Sequence, residues 1–228
     1  ENNRIQVACE KTGKPYVDNK KIKQFLKEIK YHAYYMDFET ISSAVPLFDN
    51  SRPYQQIPFQ FSVHIVKQKG AAHEHYSFLA DGTDDPRPEF MEKLKELMGT
   101  KGSVIAYKAS FELRKLKECA EALPKYKKWV ESIEERTIDL LKPFRDFAYY
   151  HPKQDGSCSI KNVLPTLTDK SYDDMEIGDG MTASREYFRV TFTDDNKDKA
   201  KIRNDLEQYC GLDTLGMVEI VDQLYKLQ

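Results

Sequence analysis

The sequence predicts an α/β fold in which helices flank a mixed sheet, and three observations carry that reading. Three strand-like segments, the last two paired as a hairpin, come first; a helix–strand–helix alternation follows; the second half is mostly helical with loops. Antiparallel strands followed by alternating units are packed most simply as helices against a mixed sheet. The chain has 228 residues, 40% of them hydrophobic, which suffices for one substantial core.

The elements run in this order. Residues 1–30 are polar and Lys-rich, with one amphipathic stretch from Lys21 to Ile29, and are expected to form a linker and lead-in helix. Residues 31–228 are expected to form the domain. His32 to Phe38 is dense in aromatic residues and reads as a buried strand ending at Asp37-Phe38-Glu39. A loop with Pro46, Asn50 and Pro53 follows. Phe59 to Val66 alternates apolar and polar residues, and a Lys69-Gly70 turn leads to His73–Leu79, which together predict a hairpin. Pro88 to Met98 is an amphipathic helix ended by Gly99 and Gly102. Ser103 to Tyr107 is a short strand, and Ser110 to Leu123 a helix stopped by Pro124. Thr137 to Phe144 is a short apolar segment containing Asp139. Gly156 to Leu167 and Thr182 to Val190 read as short helices around a turn-rich stretch, Ser171 to Gly180. A long helix closes the chain from about Lys199 to Leu227.

Composition narrows the function classes. A formal net charge of −2 argues against a protein that coats nucleic acid by bulk charge, since such domains are strongly basic. It leaves room for an enzyme that grips a few nucleotides, because a carboxylate pocket lowers net charge by itself and divalent ions restore the local balance. No apolar run approaches the roughly 20 residues that span a bilayer. The polar start Glu1-Asn2-Asn3-Arg4 has neither an initiating Met nor a signal-peptide pattern, and the expectation is a fragment of a longer protein. Cys9, Cys119, Cys158 and Cys210 are dispersed with no C-x-x-C pair, which argues against a zinc or redox motif; a reducing cytoplasm is the expected compartment.

The acids carry the chemistry. Asp37 and Glu39 are two apart on a strand, so both carboxylates project from one face. Like charges at close range resist joint ionisation unless cations neutralise them, and carboxylate oxygens suit Mg²⁺ or Mn²⁺. On this spacing alone, a strand end running into solvent is the simpler account of the pair. In the last helix the apolar stripe Leu206, Cys210, Met217, Ile220, Val221, Leu224 includes Asp213, with Tyr209 one turn earlier on the same face. An Asp in that position needs a partner, either a cation of the protein or a metal. Glu112 opens the helix after the strand Ser103–Tyr107 on a face shared with Leu116 and Cys119; an acid in a first turn also suits the helix dipole.

These residues resemble a known family. Asp37-Phe38-Glu39-Thr40, then Ala106-Tyr107-Lys108-Ala109-Ser110-Phe111-Glu112, then Tyr209-x-x-x-Asp213 are similar, in order and spacing, to the three motifs of the DEDD, or DnaQ-like, 3′–5′ exonuclease superfamily in its tyrosine subclass. The histidine subclass needs His five residues before the last Asp, where this chain has Gln208. Arg52 to Gln60, Ser159 to Pro165 and Tyr209-Cys210-x-x-Asp213-Thr214 resemble, more closely, an uncharacterised bacterial branch of that superfamily. The chain departs from the pattern twice: Glu112 stands where Asp is usual, and Lys108 where Asn is frequent. Lys108 would either bind a substrate phosphate or pair with a carboxylate and weaken metal binding.

The resemblance implies a ribonuclease H-like five-stranded mixed sheet and a 3′–5′ exonuclease that hydrolyses DNA or RNA from a free 3′ end with two Mg²⁺ or Mn²⁺ ions, about 3.5–4 Å apart. It implies that Asp37 bridges both ions, that Glu39 and Asp213 complete the first ion's shell, and that Glu112 supports the second. Tyr209 would orient the attacking water. Thr40, Gln56, Lys108 and Phe111 are the expected substrate-binding residues. Asp139 is expected to be structural. A phosphate could sit on Ser157 to Lys161 at a helix start, though a plain capped helix explains that segment as well. Tyr54 and Phe59 could stack on a base or serve the core. His73 and His75 share a strand face without a third ligand nearby and are expected as surface residues. Three other readings stand beside the exonuclease: a catalytically inactive nuclease-like module that binds nucleic acid or a protein, another ribonuclease H-like enzyme such as an endonuclease, and a structural α/β domain with surface acids.

Overall fold

The computed structural model describes residues 2–228. A five-stranded mixed sheet forms its centre, made of β2 (Ala33–Ile41), β3 (Ile57–Val66), β4 (His73–Leu79), β5 (Ser103–Ala106) and β6 (Thr137–Asp139), in the order β4-β3-β2-β5-β6. β2 lies in the middle, antiparallel to β3 and parallel to β5; β4 is antiparallel to β3, and β6 parallel to β5. The two-residue strands β1 (Tyr16–Val17) and β7 (Tyr149–Tyr150) pair separately.

Three helices determine what surrounds the central strands: α3 (Arg87–Met98), α4 (Ser110–Ala122) and α9 (Lys199–Lys226). One face of β2 and β3 is apolar. Phe38 and Phe61 each meet Phe90 of α3 edge to face, at 5.0 and 5.4 Å between ring centres. The opposite face carries Gln60, Ser62 and His64, alternate residues of β3 and all buried. The 28-residue helix α9 covers that face. Gln60 Nε2 donates to the Leu206 carbonyl at 2.8 Å, and the Thr214 hydroxyl lies 2.6 Å from Ser62 Oγ and 2.8 Å from His64 Nδ1. The alternation in β3 therefore separates two buried faces, not a buried one and a wet one. His64 in turn stacks on His75 at 4.3 Å, so the exposed hairpin histidines lie against a buried partner.

The stretch expected as a linker and lead-in differs most from expectation. Residues 2–30 hold α1 (Asn2–Thr12), β1 and α2 (Asn19–Leu26), and Ile22, Phe25, Leu26 and Ile29 belong to the main core. A helix beyond Pro124, α5 (Lys127–Glu135), was not anticipated; a single 3₁₀ turn at Pro124–Tyr126 separates it from α4. The apolar segment around Asp139 divides into β6 and α6 (Lys142–Arg145), and α7 (Ile160–Leu167) and α8 (Gly180–Phe192) follow. Among the described residues no helix is long and apolar enough to cross a membrane.

Candidate metal centre

The register of the sheet aims the acids. Asp37 pairs with Ser62 and Glu39 with Gln60, so both carboxylates share the face that α9 covers. The β2–β3 register shifts between Glu39 and Thr40, a bulge at the end of the acidic pair. The polar bonds from β3 hold α9 so that Asp213 and Tyr209 face β2. Carboxylate oxygens of Asp37, Glu39 and Asp213 consequently lie within 4.8 Å of one another. Glu112, in the first turn of α4, lines the same cavity of about 440 Å³. Asp139 organises that turn: its Oδ1 accepts the backbone N–H of Lys108 at 2.9 Å and of Leu141 at 3.0 Å.

Four acids in one buried pocket have unusual proton affinities. Burial raises the Asp37 carboxyl well above the ordinary range, and the charges of Asp213, Glu112 and Glu39 raise it further. Asp37 nonetheless keeps partial solvent access through the cavity. Glu39 is raised well above its usual range by burial and Asp213, against the opposing charge of Lys161. Glu112 rises from 4.5 to about 8, chiefly by burial, then through Asp139 and Asp213. Asp213 rises to about 6 by burial, while hydrogen bonds from Tyr172 and Tyr209 and the charge of Lys161 hold it down. The Tyr172 hydroxyl donates to Asp213 Oδ1 at 2.6 Å. Glu112 Oε2 is buried with no hydrogen-bond partner. Clustered oxygen donors, one of them orphaned, fit a hard divalent cation, which would relieve the mutual repulsion and satisfy the lone oxygen.

Most of the expected site residues come together. Asp37, Glu39, Glu112, Tyr209 and Asp213 line the cavity, as do Thr40, Gln56 and Phe111. Lys108 does not. It sits in the left-handed region at φ 69° in the turn between β5 and α4 and is exposed, and from outside the cavity wall its charge still opposes the rise of the Glu112 carboxyl. The cation in the cavity wall is Lys161. Tyr54 is exposed, and Phe59 stacks on Tyr187 at 3.8 Å in the core, so neither lines the cavity. Tyr172 was not anticipated: it lies in the turn-rich stretch, where no periodicity marks a buried residue. Its only sequence signal is an aromatic residue among turn formers.

Comparison with known proteins adds kinship without chemistry. The family described as "Domain of unknown function (DUF2779)" matches residues 34–159, a span that carries Asp37, Glu39 and Glu112 and stops short of Tyr209 and Asp213. The chain is similar to "Uncharacterized protein MG366 homolog" of Mycoplasma pneumoniae, 29% identical over 221 residues that cover 88% of this chain and 33% of that protein. It is also similar to "Uncharacterized protein UU173" of Ureaplasma parvum serovar 3, 27% identical over 230 residues, covering 88% and 32% of the two chains. "Uncharacterized protein MG366" of Mycoplasma genitalium is 26% identical over 229 residues, covering 91% and 34%. The chain thus spans about a third of the length of these curated relatives. No solved structure matches it.

Proposed function

The chain belongs to the family described as a domain of unknown function (DUF2779), and from its acidic pocket we propose that it is a two-metal-ion 3′–5′ exonuclease of ribonuclease H-like fold. The observation that carries this reading is the convergence of Asp37 and Glu39 from β2 with Asp213 from α9, their oxygens within 4.8 Å, beside the buried Glu112. The sheet order β4-β3-β2-β5-β6, with only β3 antiparallel to its neighbours, supports the fold assignment. The acid-bearing strand lies at the centre of that sheet.

Asp37, Glu39, Asp213 and Glu112 would together hold two Mg²⁺ or Mn²⁺ ions. Such ions supply Lewis-acid stabilisation of the attacking and leaving oxygens and lower the pKa of water. The protein's own groups do the rest. The Tyr209 phenol, buried beside Asp213, orients the attacking water. Burial keeps that phenol protonated, since its pKa is raised far above the usual value, so it acts as a hydrogen-bond partner and not as a base. Thr40, Gln56 and Phe111 line the cavity where the terminal nucleotide of DNA or RNA would lie. Water's oxygen bonds to phosphorus as its proton passes to solvent, the bond to the 3′ oxygen of the penultimate nucleotide breaks with that oxygen taking a proton from solvent, and a nucleoside 5′-monophosphate leaves. The alternative of an inactive nuclease-like module rested on Lys108 beside the acids; Lys108 does not line the cavity, although its charge acts on Glu112, and the digestion below decides between the two readings.

The test is digestion of 5′-labelled single-stranded DNA and RNA with Mn²⁺ by wild type, Asp37→Ala and Asp213→Ala. A stepwise ladder from the wild type, absent from both variants, is the expected result. Equal, metal-independent activity in all three, or no cleavage together with no Mn²⁺-dependent rise in melting temperature, overturns the proposal.

A further inference from the structure

Lys161 is the one Lys or Arg among the described residues lining the acidic cavity. It stands in the first turn of α7, which is seated closely on α9: a Cβ added at Gly216 would lie 3.0 Å from Leu164 Cδ2. Its Nζ donates to the Gly178 carbonyl and lies 5.5 Å from the ring centre of Tyr209 and 5.6 Å from that of Tyr172. Among the described residues it forms no ion pair within 4.0 Å, even with four acids around the cavity. An ammonium offers three donors, so two remain after Gly178. The wall that tethers it is close to the acids as well, because a Cβ added at Gly180 would lie 3.2 Å from Glu39 Oε2.

Charge balance says what this cation is for. Four carboxylates and two divalent ions neutralise each other. The phosphodiester then brings a negative charge, which grows as the attacking oxygen adds, and nothing in the metal–carboxylate set is left to meet it. Lys161 is the lining residue that can. We propose that Lys161 binds a non-bridging oxygen of the scissile phosphate on the Tyr209 side of the pocket, as a third cation of the site. This assignment rests on the nuclease reading above. A compact ammonium with two free donors suits a phosphate oxygen, and its position over the Tyr209 ring places it where the attacking water would be held.

The assignment makes two effects move in opposite directions. In the free protein, Lys161 competes with metal for the field of Glu39 and Asp213; with substrate bound, it assists the reaction. Lys161→Gln should therefore bind Mn²⁺ about three- to tenfold more tightly, read by thermal shift without substrate. At saturating Mn²⁺ the same variant should cleave a 5′-labelled oligonucleotide with kcat/KM lowered about 10²-fold. Lys161→Arg should retain most of both properties. If Lys161→Gln weakens Mn²⁺ binding along with cleavage, the residue is structural and the assignment fails. If it cleaves as fast as wild type while wild type shows its Mn²⁺ shift, the assignment fails and the nuclease reading stands. If wild type shows no Mn²⁺ shift, both fall together.

Discussion

Replacing Glu112 by Gln tests the electrostatics of the pocket in the metal-free protein. The Glu112 carboxyl is raised from 4.5 to about 8. Between those values the folded protein holds a proton that the unfolded chain has released, so stability falls as pH rises through the window and is fully present only below the unfolded value. Integrated from pH 6.5 to 8, the loss from this one group is on the order of 1.5 kcal/mol. For a chain of this size that corresponds to about 3–6 °C in melting temperature. Gln resembles the protonated acid and does not titrate. The variant should therefore gain on wild type by that amount as pH rises, whatever its absolute stability. Asp37 and Glu39 are raised too and act with the same sign; because the Glu112 charge is among the causes raising both, its removal eases their ionisation and adds to the variant's gain. His64 is lowered to about 3 by burial and by the charges of His75 and His73, so it acts with the opposite sign, losing stability as pH falls below about 6.5. It cancels in the comparison.

The assay is differential scanning fluorimetry in EDTA at half-unit steps from pH 6.5 to 8, repeated with saturating Mn²⁺. In EDTA the gap between Glu112→Gln and wild type should widen with pH. In Mn²⁺ the wild type should recover, because a metal binds the deprotonated carboxylates and removes the cost of ionising them. A gap that stays constant within about 1 °C in EDTA, where about 3–6 °C is expected, or one that closes as pH rises, refutes the claim that burial and neighbouring acids hold a proton on Glu112.

Two further perturbations follow from the hydrogen bonds around Asp213. Tyr172→Phe removes the 2.6 Å donor to Asp213 Oδ1 and keeps the ring against Tyr209, so the Mn²⁺ concentration needed for half-maximal thermal shift should rise about tenfold with little change in metal-free stability; an unchanged Mn²⁺ midpoint sinks that role. Thr214→Val leaves Ser62 Oγ and His64 Nδ1 without the hydroxyl they share, and should cost on the order of 1–3 kcal/mol in urea denaturation; a loss below about 0.5 kcal/mol would mean that the two groups find other partners.

The acids were legible because their positions obey local periodicities. Asp37 and Glu39 close an aromatic strand at period two, and Asp213 interrupts an apolar stripe at steps of three and four, so each could be assigned a face without knowing the partner. Lys108 shows where this reasoning stops. Four residues from Glu112 in sequence, it acts on that acid by charge but does not line the cavity, and nothing in the residue type announces the positive φ it adopts. Tyr172 and Lys161 reach the site by the packing of α7 and of an irregular segment onto α9, a tertiary fact with no period to read. The two-residue strands β1 and β7 pair across more than half the chain and have no pattern of their own, so residues 2–30 looked detachable.

The polar face of β3 ties these observations together. Gln60, Ser62 and His64 would be expected in water if the hairpin were covered on one side. Instead they are buried under α9, each meeting it through a hydrogen bond. An apolar face there would stabilise α9 in several neighbouring positions, since hydrophobic contact is non-directional. A row of directional bonds accepts one position, because a slip leaves buried polar groups unpaired. The partners chosen are the Leu206 carbonyl and the Thr214 hydroxyl, which bracket Tyr209 and Asp213 on α9. The residues that fix the helix thus lie on either side of the ones that need fixing. The buried polar row is what holds Asp213 over Asp37, and the same row that costs the core its apolar character aligns the proposed metal site.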